Sequence, residues 1–177
     1  SEPEFLKDKF TFYNISQFSA KKGIDVLLRA YFGEFHGEGD KVMLILKSYV
    51  NMAQRENEQQ RLQQYIQAMK SSMRLPQDGY PRVMLITKTL NDSQVKKIHA
   101  TGDCYVCSSR AEGWCIPAFE ALAYGKKLVT TTWGGMGEFA LNTNGKLRDN
   151  IYRVDFSIEP MIGQAHADPE LYTSEHF

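Results

Sequence analysis

Apolar positions along the chain follow two alternating patterns. The first is a set of short segments rich in apolar, aromatic or β-branched residues at 10–15, 41–46, 82–86, 103–107, 127–132 and 151–156, of which 42–46 is continuously apolar. Each predicts a strand, and the unbroken run 42–46 predicts one covered on both faces. The second is a helical stripe. Ile24, Leu27, Leu28, Tyr31, Phe32 and Phe35 fall three and four residues apart and predict a helix over about 24–35. Leu62, Tyr65, Ile66, Met69 and Met73 mark the buried side of a longer helix over about 51–73, whose polar run 54–61 reads as a solvated first half. Asn91 or Asp92 caps a third helix, with Val95 and Ile98 on its inner side and His99 at the edge of that side. Pro117 suits the first position of a fourth helix and Gly125 the residue just past it. A glycine-rich loop, 133–137, enters a fifth, short helix.

Buried strands alternating with helices predict an α/β domain: one open parallel sheet with helices on both faces. Right-handed crossovers make it Rossmann-like. The domain is expected over 10–156, with a lead-in or linker at 1–9 and an irregular tail at 157–177 that shows no clear period. The sequence has no internal repeat or low-complexity tract.

Composition removes several classes. Lys+Arg and Asp+Glu both number 21 in 177 residues, so the formal net charge is zero. That balance gives no basis for binding nucleic acid or an anionic membrane by charge. No apolar run approaches the roughly 20 residues of a transmembrane segment. The first residues lack the basic-then-apolar pattern of a signal peptide. Three cysteines, Cys104, Cys107 and Cys115, suit a reducing compartment, and the expected localisation is cytoplasmic. With His99 they imitate a zinc-ligand spacing. However, Cys104 and Cys107 lie three apart on a strand and point to opposite faces, so no metal is expected.

The candidate chemistry lies in four loops at the carboxyl ends of strands: 16–23, 87–91, 108–116 and 132–137. In an open α/β sheet such loops share one edge and can converge on one ligand. Lys21 and Lys22 precede Gly23 at a helix start, which is either an anion site or a solvated pair. Gly113 is expected to make a tight turn. Glu112 and Glu120 are candidate acceptors for sugar hydroxyls, with Glu120 expected in the first helical turn, where the helix dipole favours its charge. Gly134, Gly135 and Gly137 let a ligand approach the backbone. Phosphate at one end and polyol-reading carboxylates at the other describe a nucleotide-sugar. The same two glutamates could be a glycosidase acid/base pair, but no run of exposed aromatics supplies a cleft wall.

The block Ser109-Arg110-Ala111-Glu112-Gly113-Trp114-Cys115-Ile116-Pro117-Ala118-Phe119-Glu120-Ala121-Leu122-Ala123-Tyr124-Gly125, with its Glu-x7-Glu spacing, resembles the signature of retaining GT-B glycosyltransferases of the large "group 1" family. The 15–23 segment is similar to that family's phosphate loop, and the resemblance covers roughly 10–142. It implies the C-terminal, donor-binding half of a GT-B fold. It also implies these roles: Glu112 as the catalytic glutamate orienting the donor sugar, Glu120 on the ribose, and Gly113 and Trp114 giving backbone N–H groups. Lys22 would neutralise the diphosphate and Leu90 would lie near the base. The family's phosphate-loop arginine aligns with uncharged Gln17, and Lys88, where glycine is common, is a candidate for the missing charge. The resemblance further implies a nucleotide-diphosphate sugar as donor substrate, no cofactor and no metal. The N-terminal acceptor domain of such enzymes is missing, so the chain is expected to be inactive alone. A noncatalytic nucleotide-sugar-binding or regulatory module and half of a GT-B nucleotide-sugar epimerase are the alternatives.

Overall fold

The computed structural model describes residues 6–50 and 57–158. Six strands form one sheet in the order β3-β2-β1-β4-β5-β6. They are β1 (Phe10–Gln17), β2 (Val42–Tyr49), β3 (Arg82–Ile86), β4 (Cys104–Val106), β5 (Lys127–Thr130) and β6 (Ile151–Arg153). Every pairing is parallel. The helices are α1 (Ile24–Glu34), α2 (Glu58–Ser72), α3 (Asp92–Thr101), α4 (Ile116–Ala123) and α5 (Gly135–Ala140). This is the expected Rossmann-like α/β architecture. The strand order reverses direction between β1 and β4, which places a crevice there at the carboxyl edge.

Two apolar layers hold the sheet. On one face α1 and α2 bury Ile24, Leu27, Leu28, Phe32 and Met69 against Val42, Leu44 and Leu46. On the other, α3, α4 and α5 bury Ile98, Ala118, Ala121, Phe139 and Ala140 against Met43, Ile45, Tyr105 and Leu128. Alternate residues of β2 thus serve opposite faces, as the two-residue period of a strand requires. The five buried residues of α1 (Ile24, Leu27, Leu28, Tyr31 and Phe32) contribute on the order of 10 kcal/mol before entropy, at roughly 1.5–3 kcal/mol each. Leu6, in the lead-in, also packs into the core at 2% exposure.

Several boundaries differ from expectation for physical reasons. β1 and β2 pair as far as Gln17 with Tyr49, so Ser16 and Gln17 belong to the sheet, as does Lys47. β4 is shorter than expected. Asn14 Nδ2 donates to the Val106 carbonyl at 2.8 Å, so a side chain takes the place of the next ladder bond. β5 and β6 also end early, at Thr130 and Arg153. The start expected for α2 lies at 51–56, outside the described residues, and the expected tail beyond 158 does also. α3 begins on a capping box, Asn91 with Gln94, which satisfies two otherwise unpaired N–H groups. No helix among the described residues is long and apolar enough to cross a membrane. A groove of about 1100 Å³ runs beside α1, lined in part by Val26, Tyr31, Val129, Trp133 and Phe156.

Candidate functional site

The loops after β1 and β4 are pressed together across the crevice. A short 3-10 turn, Ala20–Lys22, ends at Gly23 with φ +61°. A Cβ at Gly23 would collide with the Ser108 carbonyl, so this position needs glycine for both conformation and space. Ser108 Oγ donates to the Lys22 carbonyl at 3.0 Å, and the Arg110 amide donates to the Lys21 carbonyl at 2.8 Å. The Arg110 guanidinium then grips both oxygens of Asp25 on α1, at 3.0 and 2.8 Å. Burial opposes charge on Asp25, but the Arg110 hydrogen bonds and charge prevail and hold its pKa below the usual carboxylate value.

This scaffold brings Lys22 to Glu112. Lys22 Nζ lies 2.5 Å from Glu112 Oε1, and Ser109 Oγ donates to the same oxygen at 2.7 Å. The two side chains are 22% and 10% exposed, so the pair is sheltered yet reachable. Both donors meet Oε1, and the second carboxylate oxygen is not engaged by them. The third loop supports the main chain beneath. The Gly135 amide points at the Glu112 carbonyl at 3.4 Å, and a Cβ on Gly135 would overlap the Gly113 carbonyl. Gly134 sits at φ +67° as the chain enters α5.

The chain bends at Gly113, but the position does not require glycine. It is exposed, its φ is not positive, and a Cβ there would meet nothing within 4 Å. The left-handed position is Cys115, at φ +60°, where the chain turns into α4. α4 begins at Ile116, one residue before Pro117, so Glu120 lies in the second turn and not in the first.

Glu120 also faces a different neighbour from Glu112. Its half-exposed carboxylate lies 3.3 Å from His99 Nε2 on α3. His99 is 1% exposed, not at the edge of the apolar face as expected. Its Nδ1 is 3.1 Å from Tyr13 Oη and its ring stacks on Tyr124 at 5.5 Å. The 3.3 Å approach of Glu120 is not directed as a hydrogen bond, and among the described residues Nε2 has no hydrogen-bond partner. Burial lowers the His99 pKa, while the Glu120 charge pulls it upward without cancelling the effect.

The remaining expected residues take varied positions. Gln17 is half-buried at the end of β1. Lys88 is exposed in the loop after β3, and Leu90 packs on the α3 side of the core. Trp114 is 41% exposed and joins Phe119 and Phe139 in an aromatic cluster, with centroids 5.7 and 5.4 Å away. The zinc-like spacing is not assembled. Cys107, Cys115 and Glu112 have donor atoms within 4.8 Å of one another, and neither His99 nor Cys104 joins them.

The contacts of three residues escaped the sequence reading. Lys47 is 6% exposed at the end of β2, with Nζ 3.4 Å from the Thr87 carbonyl. Its signal was a charge closing an apolar run, which reads equally well as a strand boundary. Ser109 and Arg110 act through contacts to distant residues, and nothing local in the sequence marks those partners.

The all-parallel order 3-2-1-4-5-6, with charged loops meeting at its reversal, defines a Rossmann-like domain of the kind found in GT-B glycosyltransferases. The family model of Glycosyl transferases group 1 matches residues 1–149, and the chain belongs to that family. Among solved structures it resembles the UDP-forming α,α-trehalose-phosphate synthase of Burkholderia xenovorans in complex with glucose-6-phosphate. The TM-score is 0.61 at 14% identity, over 84% of this chain and 34% of that one. The α,α-trehalose 6-phosphate synthase of Burkholderia multivorans gives 0.63 at 11% identity, over 77% and 31%. An E. coli structure described as trehalose-6-phosphate bound with UDP-2-fluoro glucose gives 0.57 at 14% identity, over 75% and 32%. At these identities the likeness is one of fold. The chain spans about a third of the length of each of these structures. No curated protein matches the sequence.

Proposed function

We propose that this chain is the donor-binding part of a retaining glycosyltransferase that passes a hexosyl group from a nucleotide-diphosphate sugar to an acceptor held by another domain. The observation that carries this reading is the convergence of Lys22 and Ser109 on Glu112 at the strand-order reversal. A cation and a sheltered carboxylate side by side suit a ligand that has phosphate next to hydroxyls.

In this reading the donor diphosphate draws the Lys22 ammonium away from Glu112. The freed carboxylate then accepts hydrogen bonds from the sugar hydroxyls and fixes the anomeric carbon beside the leaving phosphate. Backbone N–H groups at Gly113 and Trp114, with Lys22, stabilise the charge that builds on the departing diphosphate, which is the work a metal does elsewhere. Glu120, half exposed on α4, takes the ribose hydroxyls. Leu90 borders the base, and Gln17 and Lys88 flank the phosphates. The nucleotide proposed first is UDP, because one structural neighbour is bound with a UDP sugar.

Lys22→Ala tests the arrangement. It should weaken UDP by about 1.5–3 kcal/mol, roughly 10- to 150-fold, as expected for a hydrogen bond to a charged group. Uridine, lacking phosphate, should bind the variant as it binds the parent. Calorimetric titration of both ligands reads the difference, and equal losses for the two would remove Lys22 from the phosphate.

A further inference from the structure

The two ends of the loop that carries Glu112 are both cysteines, and their sulfurs meet. Cys107 leaves β4 with its amide bonded to the Val129 carbonyl at 2.9 Å. Cys115 opens α4, its carbonyl accepting from Ala118 and Phe119 at 3.0 and 3.2 Å. Between these anchors lie Ser109, Glu112, Gly113 and Trp114. Sγ of Cys107 is 3.4 Å from Sγ of Cys115. It is also 3.3 Å from Met136 Sδ, which Thr130 Oγ1 approaches at 2.9 Å. Cys115 holds the left-handed conformation, φ +60°. A side chain there costs on the order of 1–2 kcal/mol that glycine would avoid. A thiol nevertheless occupies the position and faces the other thiol.

We propose that Cys107 and Cys115 form a reversible dithiol–disulfide pair that modifies the 108–114 loop, with a small peroxide as the oxidant. Cys107 and Cys115 are 4% and 9% exposed as residues, a burial that favours a small oxidant such as hydrogen peroxide over a bulky disulfide such as oxidised glutathione. The hydrogen bond from the Cys115 thiol lowers the Cys107 pKa against the opposing effect of burial, while Cys115 itself is raised. Cys107 is therefore the attacking thiolate. Its sulfur attacks one peroxide oxygen and the O–O bond breaks. Hydroxide leaves and takes up a proton as water, giving a Cys107 sulfenic acid. The Cys115 sulfur then attacks Cys107 sulfur, the S–S bond forms and the S–O bond breaks. The departing hydroxide takes the Cys115 proton as a second water. Two thiols lose two electrons and one peroxide gains them. Cys104, whose pKa burial raises to about 11, stays out of the reaction.

A disulfide bond is about 2.0 Å long, so the sulfurs close by roughly 1.4 Å. Because both cysteines are anchored, the displacement falls on the loop between them and on Glu112. Its effect on donor binding rests on the function proposed above, whereas formation of the bond does not.

The experiment treats the protein with stoichiometric hydrogen peroxide, blocks remaining thiols with iodoacetamide under denaturing conditions and digests with trypsin. Residues 98–110, carrying Cys104 and Cys107, and 111–126, carrying Cys115, are separate tryptic peptides. The proposal expects them linked through Cys107, with Cys104 alkylated and the link lost after dithiothreitol. Cys115→Gly, which suits the left-handed position, should abolish the link while folding normally. Alkylation of all three thiols, a link through Cys104, or a terminal sulfinic acid on Cys107 would overturn it. UDP affinity is then measured on reduced and oxidised protein. Displacement of the loop by about an ångström should weaken binding at least tenfold. A linked protein with unchanged UDP affinity would overturn the switch. Absence of UDP binding in the reduced protein, with the link present, would overturn only the donor-site reading.

Discussion

Lys22 and Glu112 meet because Gly23 admits the Ser108 carbonyl and Arg110 holds Asp25, not because either is near the other in sequence. Glu120 is held differently, beside the buried imidazole of His99. That imidazole makes a prediction of its own. Burial lowers the His99 pKa below its unfolded value of 6.5. Between the two values the unfolded chain binds the extra proton, so stability rises with pH through that window. It is present in full above about pH 6.5 and is lost as pH falls through and below that value. Urea unfolding from pH 7.5 to 5 should show this decline, and His99→Gln should flatten it. An equal decline in the variant would assign the pH dependence to other groups.

At the level of elements, the site is three loops stacked backbone to backbone. The sequence pattern made the strands, the stripe of α1 and the loops legible, because burial on both faces and a helical period leave periodic marks. It misjudged where strands stop. Asn14 ends the β4 ladder with a side chain, and no periodicity records that. It marked Gly135 as open to a ligand, whereas a neighbouring loop fills that space. The chain bends at Gly113 with room for a side chain, while at Gly135 backbone meets backbone. The contrast is measurable. Gly135→Ala should cost about 1–3 kcal/mol by overpacking, with a lower urea midpoint. Gly113→Ala, which meets nothing within 4 Å, should change the midpoint little. Equal midpoints in the two variants would contradict the stacked-loop geometry. The Glu112–Glu120 spacing was readable as a motif, but the separate surroundings of the two glutamates depend on α3 and on the Lys22 loop, elements far away in sequence.

For the whole molecule, the strand order puts one crevice at the carboxyl edge, and the family match places the chain among group 1 glycosyltransferases. It spans about a third of the length of the synthases it resembles. The groove beside α1 is lined chiefly by apolar side chains, Val26 and Phe156 among them, and also by Ser108, Ser109 and Arg110, which border the Lys22–Glu112 pair. A ligand seated on the pair itself and one seated among the apolar lining residues are distinguished by which amides respond. The most direct test is an amide NMR titration of the chain with UDP. The account predicts saturable shifts at Lys22, Gly113, Trp114 and Gly135. Shifts confined to the groove around Val26 and Phe156, or none at millimolar UDP, would contradict it.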